Sequence, residues 1–521
     1  MMSKGSSSSV YEVQKFSWIW IVLVLMLGTL LRLYDLGTES YWSDEMYTVY
    51  EVQQTIPQVI ESGRLDQPPG YYIPFHFWVQ IFGLSEAGTR SFSTLAGVAS
   101  IFILYLVGKE LFSHGVGLLS AFLMSISEFQ IYYSQTARFY SLFEFTTLLS
   151  FLFFILSLRR KQYLYFILNG VASIFMVYSN VFGLFVLAAQ NLFFFLYWKK
   201  YKEMAVAWLA CQVLIVLAMA PYFYPLLFGA SGVEDAAVLN IGNIPPPSLL
   251  HPFYAMYRFL LPFRRESGWD LVFVSYAIAG TLLLAGTWFY ASRQGKSSWI
   301  DSVRGSLSSL GDVTELSEKL TLLGFWLLFP ILLPFIVSIL MIPIYKVYYT
   351  INAAPALYLL LALIMVHARK AVPLLVSLGT VTIMIVPGLV YYYVTDFNPQ
   401  VRDAAKYVYE SPDSGDLIVY VPDGDFGFQN DIEQRLFEWY YEGALPGCSM
   451  VGWLKDDVSI SGALTQCIAG HDRFWVVIPD SQTESSIRYK SFFLDSGQGA
   501  MQLIKEEKFI GLSTYLFELK K

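Results

Sequence analysis

Apolar runs of about twenty residues recur along this chain, and no other feature narrows its fold as far. A helix rising 1.5 Å per residue needs about 20 of them to cross a hydrocarbon core about 30 Å thick. Such runs occupy residues 17–34, 89–108, 115–133, 139–158, 163–180, 182–198, 204–224, 271–290, 320–341, 350–367 and 371–394. Within hydrocarbon each backbone N–H and C=O must find its partner inside the segment, which leaves helices as the reading. Of the 521 residues 55% are hydrophobic and only 14% are charged. A soluble domain carries roughly 25% charged residues, so lipid has to be the solvent for much of this surface. The first run is long for the apolar region of a secretory signal and no small-residue cleavage site follows it, so it reads as a retained span. The chain therefore reads as a polytopic α-helical membrane protein with about eleven transmembrane helices.

Lysine and arginine orient the spans. Lys15, Arg159-Arg160-Lys161, Lys199-Lys200-Lys202, the basic residues from Arg293 to Arg304, and Arg369-Lys370 all fall on one side once the runs are threaded. By the positive-inside rule that side is the cytoplasm. Residues 1–16 are then a cytoplasmic N-terminus, and 17–394 a transmembrane module with outer loops 35–88 and 225–270. Residues 395–521 become an outer segment richer in charge, in which Asp416 to Val421 and Phe474 to Ile478 predict short buried strands. Pro399 to Glu410 and Ser485 to Leu494 predict helices there, so the segment reads as a small C-terminal extracytoplasmic α/β domain. No long basic stripe exists, which argues against a nucleic-acid partner. Cys448 and Cys467 pair if their segment faces an oxidising compartment, and are otherwise two free thiols.

The residues suited to chemistry cluster in the outer segments. Ser43-Asp44-Glu45 lies about ten residues past the first run, and adjacent carboxylates can divide a proton-accepting and an orienting role. The alternative is an acidic helix N-terminus favoured by the dipole. Next comes Asp66-Gln67-Pro68-Pro69-Gly70-Tyr71-Tyr72, a proline-set bend before an aromatic stretch to Phe82 that suits a helix lying in the interface. Arg90 opens the second run, and Arg138 stands between the third and fourth, followed by Tyr140. Ionisable groups at a membrane boundary commonly mark a site, and a guanidinium fork suits a phosphate. The alternatives are snorkelling to headgroups or an internal pair of Arg138 with Glu144 or Glu128.

The segments Leu31-Arg32-Leu33-Tyr34 through Trp42-Ser43-Asp44-Glu45, Gln67-Pro68-Pro69-Gly70-Tyr71-Tyr72, Arg90-Ser91-Phe92-Ser93 and Tyr133-Ser134-Gln135-Thr136-Ala137-Arg138-Phe139-Tyr140 agree in order and spacing with a known pattern. Together they resemble the protein-mannosyltransferase-like, or family 39-type, branch of the GT-C glycosyltransferases. Its members include protein O-mannosyltransferases and the aminoarabinose transferases that modify lipid A. Two departures stand out. Relatives often carry histidine or lysine where Gln67 stands, and a late segment that usually carries Arg-Tyr has Tyr348 at the arginine position, with Lys346 the nearest cation.

The resemblance implies a GT-C-type transmembrane module whose donor is a polyprenyl (or dolichyl) monophosphate-sugar. The acceptor would be a lipid, glycan or protein, approached on the outer face of a cell membrane, taken to be a bacterial inner membrane. Asp44 would act as general base with Glu45 orienting it or a cation, and the anomeric carbon would invert in one displacement. Arg90, Arg138 and Lys346 would hold the leaving phosphate, and Asp66, Gln67, Tyr71, Tyr72 and Tyr140 would line the pocket. No cofactor is required on this reading; a divalent cation, bound by some relatives, stays open. Two other classes compete: a transporter or flippase of a lipid-linked sugar, expected to carry mid-membrane charges and inverted repeats, and a non-catalytic scaffold.

Overall fold

The computed structural model describes residues 6–61, 68–228, 246–261, 313–367, 371–411, 417–421, 432–450, 456–480, 484–495 and 500–520. By internal contacts the chain divides into two compact units. One comprises residues 1–34, 55–81 and 90–394, and the other residues 35–54, 82–89 and 395–521. The outer loop 35–88, read from sequence as part of the transmembrane module, is thus shared between them.

The first unit is helical. Among the described residues five helices are long and apolar enough to cross a bilayer: Glu86–Leu111, Tyr140–Arg160, Trp198–Tyr224, Thr314–Leu340 and Val347–Val366. The pair His114–Ile126 and Glu128–Ser134 makes a sixth if taken as one span, bent by 65°. Trp18–Leu33, Tyr163–Ser179, Gly183–Leu196 and Gly379–Val394 are shorter apolar helices. The expected span 271–290 lies outside the described residues, as do the basic residues from Arg293 to Arg304.

The run 115–133 is not one straight helix, and the reason is local. At Ser127 the backbone is extended (φ −65°, ψ 121°). The carbonyls this leaves at the end of the first helix are satisfied by Arg32, which is fully buried and donates to Met124 O and Ser125 O, both at 3.1 Å. A cation on the last carbonyls also complements the helix dipole. The Arg32 Nε donates on to Ser134 Oγ at 3.0 Å, so one guanidinium holds both arms of the bend.

Basic helix ends meet acidic partners at one end of this unit. Arg159 and Arg160 reach Glu110 at 3.5 and 3.4 Å, Lys161 reaches Glu203 at 3.3 Å, and Lys200 pairs with Glu318. Glu110 closes the helix Glu86–Leu111 while Arg90 opens it. At 1.5 Å per residue the two lie about 30 Å apart, at opposite ends of one span.

The second unit holds a five-stranded sheet built from β1 (Ile418–Tyr420), β2 (Gly447–Ser449), β3 (Arg473–Pro479), β4 (Met501–Phe509) and β5 (Leu512–Leu519), in the order β2-β1-β3-β5-β4. β1 pairs parallel with β2 and β3, and β5 pairs antiparallel with β3 and β4. Helices Val401–Glu410 and Glu484–Leu494 stand where the sequence placed helices. Alternation along β3 sends Trp475 and Val477 into one core and Phe474, Val476 and Ile478 into the other, the period-two consequence of the pleat. The first core also takes in Tyr41, Met46 and Val49 of the outer loop, which explains why residues 35–54 fold with this unit. Gly511 makes the β4–β5 turn at φ 79°, and a Cβ there would meet Pro399 at 2.8 Å. Cys448 and Cys467 form a disulfide.

Candidate functional site

Arg90, Arg138 and Lys346 stand on segments of the helical unit that are linked by a series of contacts. Arg90 and Ser93, one turn apart, share a face of the helix Glu86–Leu111. The Ser93 hydroxyl donates to the backbone carbonyl of Arg138 at 3.1 Å, and Thr94 Oγ1 donates to Ser134 O at 2.9 Å. The loop bearing Arg138 is thereby fastened to the turn bearing Arg90. From Arg138 the path continues through rings. Its guanidinium carbon lies 5.5 Å from the Phe139 centroid, Phe139 packs against Tyr349 at 5.9 Å, and Tyr140 against Tyr348 at 5.5 Å. The Lys346 ammonium lies 5.7 and 5.5 Å from the centroids of Tyr348 and Tyr349.

The late segment is shaped by the end of the helix Val313–Leu340. Ser338 Oγ accepts from the N–H groups of Ile344 and Tyr345 at 2.9 and 2.8 Å, which turns the chain into Lys346. Arg90 and Arg138 are both buried, at 3% and 2% exposure. Arg138 and Lys346 thus each lie against a ring of the connected group Phe139, Tyr140, Tyr348 and Tyr349, and guanidinium forks have the donor geometry that suits a phosphate.

The proline-set bend reaches the same region. Gly70 N–H donates to Tyr178 O at 2.8 Å, and a Cβ at Gly70 would lie 2.5 Å from that carbonyl's carbon and oxygen, so only glycine fits. Tyr71 is fully buried against Phe75 and Phe92, with its hydroxyl 3.4 Å from Ser93 Oγ. Tyr72 and Tyr140 are buried as well. The helix Tyr72–Phe82 presents Phe77 and Ile81 to the outside and Phe75 and Val79 to the interior, an amphipathic arrangement suited to an interface. Beside the bend lies an apolar cavity of about 720 Å³, lined among others by Pro69, Ile73, Phe175, Tyr178 and Tyr222. Asp66 and Gln67 lie outside the described residues.

Asp44 and Glu45 belong to the other unit, in the first turn of the helix Ser43–Glu51. Asp44 is half-buried and Glu45 fully buried. The Ser43 hydroxyl donates to Glu433 Oε1 at 2.6 Å. Near it, Glu86 accepts from Tyr440 at 2.6 Å and pairs with Arg402, whose Nη1 donates to Thr38 O at 2.9 Å. Burial and the bond to Glu86 raise the Tyr440 phenol above its ordinary range. Among the described residues no group of three His, Cys, Asp or Glu side chains is arranged to hold a metal ion.

Two sequence alternatives are corrected. Glu144 accepts from Gln130 at 2.8 Å, and Glu128 pairs with Arg258 at 3.5 Å, so neither carboxylate is the internal partner of Arg138. The roles of Arg258 and Glu433 had no signal in the sequence, because each partner lies far along the chain. Arg32 stood out only within the segment Leu31-Arg32-Leu33-Tyr34, which does not say what it binds.

The family described as dolichyl-phosphate-mannose-protein mannosyltransferase matches residues 66–224, a segment that includes Tyr71, Tyr72, Arg90 and Arg138. ArnT from Cupriavidus metallidurans in the apo state is similar in structure, with a TM-score of 0.55 at 11% identity, covering 95% of this chain and 97% of that one. The same protein bound to undecaprenyl phosphate gives 0.55 at 12% identity, covering 95% and 98%. The Archaeoglobus fulgidus oligosaccharyltransferase AglB, in complex with an inhibitory peptide and a dolichol-phosphate, gives 0.53 at 13% identity, covering 96% and 74%. An uncharacterised protein of Aquifex aeolicus is 27% identical over 291 residues, spanning 49% of this chain and 57% of that relative's length. The fold is shared with ArnT and with the oligosaccharyltransferase AglB. Residues 66–224 are thus similar to the mannosyltransferase family, and the chain as a whole is similar in fold to ArnT.

Proposed function

We propose that this protein transfers a sugar from a polyprenyl or dolichyl monophosphate-sugar to a lipid, glycan or protein acceptor at the outer face of a bacterial inner membrane. The observation that carries the reading is the burial of Arg90 and Arg138 on segments tied together by the Ser93 bond, with Arg138 and Lys346 each against a ring of the connected group Phe139, Tyr348 and Tyr349. A monophosphate leaving group develops charge as the glycosidic bond breaks, and preorganised donors aimed at that charge are commonly the largest catalytic contribution. The apolar cavity beside Gly70 offers a surface for a prenyl chain, its volume within the range of ligand sites. The solved relatives bound to undecaprenyl phosphate and dolichol-phosphate support a lipid-phosphate ligand for this fold.

In the proposed reaction Asp44 takes the proton of an acceptor hydroxyl or amine, whose lone pair attacks the anomeric carbon. The carbon–oxygen bond to the lipid phosphate breaks in the same step and the configuration inverts. Glu45, fully buried beside it, orients Asp44. The arginines and Lys346 receive the departing phosphate, and no metal is required for it. The full module, with about eleven spans, an N-terminus in the cytoplasm and the C-terminal segment outside, is part of this proposal. The Cys448–Cys467 disulfide supports an oxidising, extracytoplasmic side for that segment.

The test uses purified protein in lipid nanodiscs with radiolabelled polyprenyl monophosphate mannose, glucose, galactose or aminoarabinose and a membrane acceptor extract. Wild type releases lipid phosphate and labels an acceptor. Asp44→Asn inserts normally and loses about a hundredfold or more in rate. Full activity in Asp44→Asn overturns the assignment of the base, and no transfer by wild type from any of these donors overturns the transferase reading.

A further inference from the structure

The helix Ser43–Glu51, which carries the acidic pair, is built into the C-terminal segment. Its inward residues Met46 and Val49 pack in one core with Ile432, Leu436 and Phe437 of the helix Ile432–Tyr440. That second helix holds the first at three levels. Glu433 accepts from Ser43 Oγ at 2.6 Å, at the start of the acidic turn. The Arg435 guanidinium lies 4.0 Å from the ring centroid of Tyr50, near its end. The Tyr440 hydroxyl accepts from Tyr41 N–H at 2.9 Å, just ahead of it. The residue that would ordinarily cap the acidic helix is Trp42, which makes no side-chain capping bond. Ser43 instead turns its hydroxyl outward to Glu433, beside a small crevice of about 60 Å³ lined by Tyr420, Val477 and Gly511.

We propose that Glu433, acting through Ser43, is a positioning residue that fixes the rotation of the Asp44–Glu45 turn, which makes the C-terminal segment a working part of the transferase. This rests on the transferase reading above. Successive residues on a helix are about 100° apart, so a small rotation at Ser43 swings the neighbouring carboxylate sideways. A misplacement of about 1 Å at a reacting group can cost about a hundredfold in rate. The bond also accounts for the type of residue needed at each end: a hydroxyl donor at Ser43 and an oxygen acceptor at Glu433, with no requirement for charge on the acceptor.

The experiment compares Ser43→Ala, Glu433→Ala, Glu433→Gln and the Ser43→Ala/Glu433→Ala pair in the full chain in nanodiscs. It uses the radiolabelled donor on which wild type is active, with Glu410→Gln on the exposed helix face as control. Ser43→Ala and Glu433→Ala lower kcat about tenfold or more while KM for the donor stays within about twofold. Glu433→Gln, whose amide oxygen still accepts from Ser43, restores kcat to within about threefold, and the double variant is no slower than either single. Hydrogen exchange in the alanine variants rises at residues 43–51 and stays at the wild-type level in β3 and β5. Wild-type kcat in both alanine variants overturns the proposal, and so does a kcat loss accompanied by lost protection throughout the sheet. A wild type inactive with every donor removes the transferase reading itself, and is distinguished from these outcomes by the absence of any rate to compare.

Discussion

Replacing Arg138 separates charge from shape at the proposed phosphate site. The side chain is 2% exposed and lies against Phe139, on a loop held by the Ser93 bond to its own carbonyl. Arg138→Gln removes the cation, and losing one charge-assisted donor in a dry site costs about 3–4 kcal/mol of transition-state stabilisation, or about two to three powers of ten in kcat. Arg138→Lys keeps the charge and loses the planar fork, leaving a single point donor, and is expected to cost about 1–2 kcal/mol, roughly tenfold. Ser93→Ala leaves the guanidinium intact and releases its backbone anchor at 3.1 Å, together with the long contact to the Tyr71 hydroxyl at 3.4 Å. A neutral hydrogen bond contributes about 0.5–1.5 kcal/mol, so this variant falls about threefold to tenfold. The assay is release of lipid phosphate at saturating donor, with thermal unfolding as a control for folding. The expected order is wild type, then Ser93→Ala and Arg138→Lys, then Arg138→Gln. If Arg138→Gln stays within threefold of wild type, or if Arg138→Lys is as poor as Arg138→Gln in KM alone, the phosphate role is refuted.

Further outcomes follow from the same geometry. Gly70→Ala places a carbon 2.5 Å from the Tyr178 carbonyl and should destabilise the helical unit by about 1–3 kcal/mol, read as a lowered Tm in detergent; an unchanged Tm contradicts the close approach. Removing the Cys448–Cys467 link, with 19 residues of separation, should cost about 3 kcal/mol in denaturant unfolding of the C-terminal segment, and in intact cells both thiols should resist maleimide until reductant is added. Tyr440 has its phenol raised by burial and by Glu86, so its contribution is complete below the ordinary phenol value of about 10 and is lost as pH climbs through the raised one. Tyr440→Phe should therefore flatten the fall in Tm above about pH 10, and an identical alkaline limb in both proteins argues against the contact. A chelator such as EDTA should leave the transfer rate within about twofold of the untreated enzyme; abolition, with recovery on adding Mg²⁺ or Mn²⁺, would assign a metal to the reaction.

Much of this protein is local, and its sequence expresses local physics directly. Twenty-residue apolar runs specify helices wherever lipid is the solvent. The unbroken apolar run from Phe474 to Ile478 specifies a short strand buried on both faces. The same locality made Asp44, Glu45, Arg90 and Arg138 visible, since charged groups at the edges of apolar runs are costly and stand out. The family resemblance carried in residues 31–141 agrees with the matched segment 66–224.

What stayed hidden depends on partners distant along the chain. The break at Ser127 looks like ordinary apolar helix until Arg32, some ninety residues earlier, is seen on Met124 O and Ser125 O. Glu144 and Glu128 sit at spacings that suggest Arg138, yet packing delivers Gln130 to one and Arg258 to the other. Glu433 gains meaning only when the helix Ile432–Tyr440 is laid against Ser43–Glu51. Periodicity and residue type decide which segments become helix or strand, because backbone hydrogen bonding and burial act over a few residues. Which charged group meets which, and so which of them can work together, was settled by the packing of those elements, where the neighbour in space belongs to another element, 14 residues away for Glu144 and 390 for Ser43.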